Sequence, residues 1–226
     1  MIHGISSMAT RLLLADLLAA LDDRLPAAVQ IESVGGVDAA KRVQSGEAFD
    51  VVVLARDAID KLIASGHVLV GSRVDLVHSG VAVAVREGAP RPDMSSEAAV
   101  RAAVLAAPSL SYSTGPSGVA LAALFERWGI AQTIRERIVQ APPGVPVGSL
   151  VAQGQVALGF QQLSELLPLP GITVLGPLPP EIQIITTFSG GVCASSARPD
   201  DVRTLLALMN SAPCADIKRR HGMAPA

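Results

Sequence analysis

Apolar positions along this chain alternate between short continuous runs and stretches with helical spacing. Phe49–Ala55 (FDVVVLA) is nearly continuous and rich in β-branched residues, the pattern of a strand buried on both faces. Ile2–Ile5 and Val29–Ser33 are shorter runs of the same kind. Each is followed by small residues, Ser6-Ser7 and Gly35-Gly36, and then by a helical pattern, to about Leu25 and over Asp38–Gln44. Asp57–Ser65 adds a further helix closed by Gly66. This βαβαβα order predicts a parallel sheet with helices on both sides.

Val74–Val85 is a longer extended stretch interrupted by Ser79-Gly80, the mark of a strand that bends or passes between lobes. The alternation then restarts. A helix is expected over Ser95–Ala106 with Ser95 or Ser96 as N-cap, a strand over Ser109–Ser113, and a helix over Val119–Trp128 ended by Gly129. Next come a helix over about Val147–Gln153, a strand at Val156–Phe160 and a short helix at Leu163–Leu167. Strands follow at Ile172–Leu175 and Ile182–Phe188. The last helix is Pro199–Ser211, with Asp200-Asp201 suiting the dipole of its first turn, and Ala215–His221 forms a tail helix. No flexible linker separates two domains, so strands are expected to join the lobes, with hinges at Val77–Val81 and Ile182–Phe188.

Composition narrows the function. Half of the 226 residues are hydrophobic and 17% are charged, enough for a sizeable core and too apolar for disorder. Six aromatic residues (one Trp, one Tyr, four Phe) argue against a base-stacking groove or a sugar platform. A net charge of −2 without a basic cluster makes nucleic acid a poor partner. Cys193 and Cys214 read as ordinary thiols without metal-ligand spacing, and Gly-x-Gly-x-x-Gly, P-loop and Gly-x-Ser-x-Gly patterns are absent, so no metal or cofactor is expected. No run approaches the roughly 18 apolar residues of a membrane helix, so no membrane insertion is expected. Met8–Leu21 is apolar-rich but is interrupted by Asp16, followed by Asp22-Asp23, and preceded by no basic segment; it reads as an amphipathic helix. The chain as written is therefore expected in the cytoplasm. Removal of a leader would instead place it in the periplasm, where an ABC permease would be its partner.

Candidate chemistry lies in four loops of small residues: Ser6-Ser7, Gly35-Gly36, Ser113–Gly118 and Gly144–Ser149. Each precedes a predicted helix. The first turn of a helix leaves N–H donors without partners and carries a partial positive charge, while glycines let the backbone approach a ligand. Ligands of open α/β sheets lie outside the carboxyl ends of the strands, where all four loops are expected to fall. Any one of them is equally an ordinary cap or turn. Together they predict a small anionic ligand.

The opening strand-Ser-Ser-helix, the segment Gly46-x-x-x-Asp50-Val-Val-Val-Leu-Ala55, the loop Pro116-Ser117-Gly118 and the strand Val156-Ala-Leu-Gly-Phe160 carry a resemblance. Over nearly its full length the chain resembles the molybdate-binding branch of the type 2 periplasmic binding proteins. The resemblance implies a two-lobed α/β fold with a ligand cleft between the lobes. It places lobe one at 1–77 plus 183–226 and lobe two at 78–182. It implies hydroxyl or backbone donors from Ser6, Ser7, Gly36, Ser113, Ser117, Gly118, Val147 and Gly148. Two departures stand out. Molybdate binders offer hydroxyls where this chain has Gly35-Gly36-Val37, and a tyrosine where it has Gln161-Gln162. Arg73, Ser79 and the two glutamines would suit a larger organic carboxylate, Arg73 by bidentate pairing. A subset of these relatives resembles aconitate isomerase, which shifts a double bond in a tricarboxylic acid.

The expected function is recognition of a small polycarboxylate or related oxyanion. The alternative is an isomerase of unsaturated tricarboxylates, which would need a group to remove and return a proton. His78 and Asp38 are the candidates, with His3 and Glu32 nearby in sequence. A satisfied histidine and a helix-start acid are the ordinary readings of the first two.

Overall fold

The computed structural model describes residues 1–142 and 144–226. In chain order it contains β1 (Ile2–Ser7), α1 (Arg11–Leu21), β2 (Val29–Val34), α2 (Gly36–Gln44), β3 (Val51–Ala55), α3 (Arg56–Ala64), β4 (Val74–Arg86) and α4 (Glu97–Ala106). These are followed by β5 (Leu110–Tyr112), α5 (Pro116–Arg127), α6 (Ala131–Ile134), α7 (Val147–Ala152), β6 (Leu158–Gln162) and α8 (Leu163–Leu166). The chain ends with β7 (Ile172–Pro177), β8 (Ile185–Val192), α9 (Pro199–Met209), α10 (Ala215–Arg220) and β9 (Met223–Pro225). It divides into two compact units, Met1–Ser79 with Thr186–Ala226, and Gly80–Ile185. The chain passes from one to the other within β4 and within β8.

In the first unit β1 is central, paired in parallel with β2 (Ile2↔Val29 to Ser7↔Val34) and with β3 (Gly4↔Val51 to Ser6↔Val53). The β-branched run of β3 is buried throughout, as its continuous apolar pattern requires. β8 lies antiparallel on β3, from Val51↔Val192 to Ala55↔Phe188, and the sheet is therefore mixed and not purely parallel. Asp50 fixes the start of this arrangement: its carboxylate accepts the His3 N–H at 2.9 Å and the Ser196 hydroxyl at 2.6 Å. Leu13, Leu17, Leu206 and Met209 form the core on one face, and Ile5, Val52, Leu54, Ile59 and Leu62 the core on the other. The tail is tied down by β9, which pairs with Val77–Ser79, and by buried Lys218, whose Nζ donates to the Leu76 carbonyl and to Asn210 Oδ1.

In the second unit β5 and β6 pair in parallel, and β4 runs antiparallel to β6 (Val81↔Gln162 to Ala84↔Gly159) and to β7. Four of the six aromatic residues gather here. Phe125 meets Tyr112 and Phe160 edge-on, with ring centroids 5.9 and 6.1 Å apart, and lies 5.9 Å from Trp128. Burial of such rings dominates a small core. Replacing Phe125 by Ala should cost about 3–5 kcal/mol. The single Trp128 lies in this unit, so urea unfolding followed by its fluorescence should show a correspondingly lower midpoint.

Candidate functional site

Parallel pairing sets the carboxyl ends of β1, β2 and β3 side by side in the first unit. Ser6 and Ser7 are the last residues of β1 itself. Ser6 is wholly buried and its Oγ lies 2.7 Å from Ser33 Oγ. Ser7 caps a 3-10 turn, its Oγ accepting the Ala9 N–H at 3.4 Å. Gly36 opens α2 directly beside it: a methyl group on Gly36 would sit 3.6 Å from Ser7 Oγ. Neither Gly35 nor Ala55, the N-cap residues of α2 and α3, makes a side-chain cap hydrogen bond. Ser7 and the first turn of α2 thus form one cluster of hydroxyl and main-chain donors. Asp38 stands exposed in that first turn, where the helix dipole favours an acid.

Arg73, expected as a charge partner of the ligand, is engaged within the first unit. Its guanidinium pairs with Asp60, and its Nε lies 3.6 Å from Asp75, so its charge is already matched by carboxylates of its own unit. Asp75 also accepts the Ser189 hydroxyl at 2.7 Å and pairs with Arg56. Burial pushes the Asp75 carboxyl up, but the Ser189 hydroxyl and the two guanidinium groups outweigh it and hold it below its usual range. Arg56, absent from the expected site, directly follows β3 at the strand end; its Nε is buried without a partner among the described residues. The position of Arg56 after FDVVVLA was the signal for it.

His78 is half-buried in β4, opposite Ala224 of β9, with Nδ1 2.9 Å from Thr187 Oγ1. It holds one strand to another. Ser79 ends the first of the two stretches that make up the first unit; it is fully buried, and its Oγ has no partner among the described residues. Glu32 is committed to Arg42 on the exposed face of β2, and His3 is exposed.

In the second unit Ser113 and Ser117 face each other with their hydroxyls 3.1 Å apart. Pro116 begins α5, a position its fixed φ suits, and Gly115 leaves the helix start without a side-chain cap. The loop is locked by Gly118. A methyl group there would lie 1.6 Å from the Ser113 carbonyl oxygen, so the turn closes only around glycine. The loop before α7 departs from expectation. It follows a 3-10 turn and an isolated bridge between Ile138 and Leu110, not a strand. α7 reaches the end of β6 through Gln161, whose Oε1 accepts the Gly148 N–H at 3.2 Å. Gly148 is held close against the end of α8 and the loop after it, where a methyl would meet Leu166 at 3.1 Å and Leu169 at 2.5 Å. Gly148 and Gln161, both expected as ligand contacts, are therefore bonded to each other, and Val147 precedes them, buried at the start of α7.

Four residues after Gln161 stands Glu165, a residue the sequence reading passed over. Glu165 lies half-buried on α8. Burial pushes its carboxyl up to about 7, with the nearby Gln161 amide pulling the other way. The signal was a carboxylate one helical turn after the Gln161-Gln162 pair that ends β6.

The sequence profile described as "Bacterial extracellular solute-binding protein" matches residues 2–224. The chain belongs to this family. It is 40% identical, over 185 residues, to an aconitate isomerase from Pseudomonas sp., covering 81% of this chain and 70% of that protein. The periplasmic molybdate-binding protein of Azotobacter vinelandii superposes with a TM-score of 0.81 at 19% identity, over 99% of each chain. The sulfate-binding protein SubI of Mycobacterium tuberculosis H37Rv gives 0.80 at 15% identity, over 100% of this chain and 86% of that one. The fold is accordingly the α/β fold of the periplasmic binding proteins.

A pH-dependent stability follows from Glu165. A carboxyl whose pKa is raised by folding favours the folded state fully below its ordinary value of about 4.5 and loses that contribution as pH rises through about 7. At 1.36 kcal/mol per unit this amounts to about 3 kcal/mol. Glu165→Gln has no such titration. The melting temperature of the wild type should therefore fall relative to that of Glu165→Gln between pH 5 and pH 8.5, measured in parallel thermal melts.

Proposed function

We propose that this protein binds a small polycarboxylate through hydroxyl and main-chain donors at the two sets of strand ends. Ser7 and Gly36 in the first unit would contribute, with Ser113, Ser117, Gly118 and Val147 in the second. The carrying observation is the glycine-locked loop 113–118, which presents a serine pair at the start of a twelve-residue helix. Such donors bind oxyanions without an unpaired cation. The molybdate- and sulfate-binding structural neighbours support an anion as ligand. Gly35-Gly36 removes hydroxyls from the second loop, and the carboxyl end of β6 carries glutamines, which favours a larger organic acid over a compact tetrahedral anion. Outside the cytoplasm the corresponding partner is an ABC permease; inside it, the corresponding roles are catalysis or sensing.

A second reading is favoured by the aconitate isomerase relative and by Glu165: the bound acid is an unsaturated tricarboxylate, and the protein moves its double bond.

A thermal-shift panel of citrate, cis- and trans-aconitate, molybdate and sulfate tests the first reading, because a ligand specific to the folded state raises its melting temperature. The tricarboxylates should raise it. Ser117→Ala should weaken binding roughly 10- to 100-fold, the range for a hydrogen bond to a charged group. A response to molybdate alone would overturn the carboxylate reading.

A further inference from the structure

We propose that the second unit carries a further ligand site, between the segment 91–95 and β7, for a free amino acid with an apolar side chain. Arg91 would take its carboxylate, Asp93 its ammonium group, and Met94 with Leu175 its side chain. The site is separate from the strand-end donors described above and does not depend on what they bind.

The observation behind it is a cavity of about 390 Å3, lined by Arg91–Ser95 on one side and Val174–Pro177 on the other. Its size falls in the range of small-molecule sites, roughly 300–1,000 Å3. Local sequence shapes both walls. Arg91 stands between Pro90 and Pro92, whose rings fix φ on either side, and a residue that precedes proline is held extended. The backbone carrying Arg91 is therefore stiff before a ligand arrives, which lowers the ordering cost of binding. On the opposite wall β7 is bulged. Val83 pairs with Gly176 and Ala84 with Val174, so Leu175 is the extra residue. Gly176 absorbs the bend at a φ of 119°, a conformation that other residues rarely adopt.

The two charges lining the cavity are opposite in sign and do not pair with each other. Arg91 is exposed, with no ion pair or hydrogen bond among the described residues. The acids that follow in the chain are already committed. Glu97 accepts from Arg127 and from Trp128 Nε1, each at 2.6 Å, and Glu181 accepts the Glu97 N–H at 3.1 Å. Asp93 Oδ1 accepts the Ser95 N–H at 2.9 Å, which positions the carboxylate and holds it below its usual range. It is therefore negative at neutral pH and keeps lone pairs for an ammonium group. Met94 and Leu175, both half-buried against the core of this unit, give the same cavity an apolar surface. A zwitterion answers both charges at once. A polycarboxylate would bring its second negative charge towards Asp93, and a like-charge contact of that kind excludes it.

Isothermal titration calorimetry of the full chain with L-valine, L-leucine and L-phenylalanine tests this. At least one of the three should bind. The analogues of leucine that lack one charged group, 4-methylpentanoate and 3-methylbutylamine, should each bind about 10-fold or more weakly than leucine, the cost of losing a hydrogen bond to a charged group. Arg91→Ala and Asp93→Asn, both at exposed positions, should weaken the amino acid by a similar factor while leaving the melting temperature of the ligand-free protein unchanged. Equal affinity for either single-charge analogue overturns the zwitterion assignment. Undiminished amino-acid binding in both variants overturns the location. Binding of none of the three amino acids overturns the proposal as a whole, and leaves the reading of the strand-end donors untouched.

Discussion

Parallel strand pairing is the constraint on which the rest of this molecule depends. A chain that pairs β1, β2 and β3 in parallel must return between them by helices, so every strand end is followed by a helix start on the same edge of the sheet. The pairing of β5 with β6 repeats this in the second unit. The donors of the first helical turns are thereby collected without any residue being selected for chemistry. Ser7 beside Gly36, and Ser113 beside Ser117, then need only be small and hydroxylic.

Charge is handled differently from donors. The guanidinium groups of Arg56 and Arg73 are matched by Asp60 and Asp75, and Arg42 is matched by Glu32 and Glu47. An exposed pair of this kind contributes little to stability, but it does remove a free cation from the loop ends. The serine and main-chain donors at the strand ends are thus neutral, and among the described residues Glu165 is the carboxyl that burial pushes up. A neutral lining discriminates ligands by shape and by hydrogen-bond count more than by charge.

Much of this was legible in the sequence because it was periodic. FDVVVLA, the helical spacing of Val119–Trp128 and the serine-glycine loops each declare their state locally. What escaped was set by contacts across the chain. α6 and β9 are short, and Met223-Ala-Pro225 becomes a strand only because Val77–Ser79 offers it an edge. Arg73 read as a free clamp until Asp60 and Asp75 were placed beside it. Gln161 read as a ligand contact, and its bond to the Gly148 N–H at the start of α7 was invisible in residue type. Glu165 was overlooked for the same reason. A surface-type residue on a four-residue helix gives no sign that folding will withdraw it from water.

The division of the first unit into two stretches of chain has a consequence for synthesis. Gly80–Ile185 is contiguous and can complete its sheet as soon as it has left the ribosome. Met1–Ser79 emerges earlier but lacks β8, its partner on β3, until almost the last of the chain is made. For that interval the run Val51–Ala55 is an open apolar strand edge, β-branched and uncharged, of the kind that captures other chains. The segment that most firmly defines the finished fold is therefore the one most in need of shelter while the fold is being assembled.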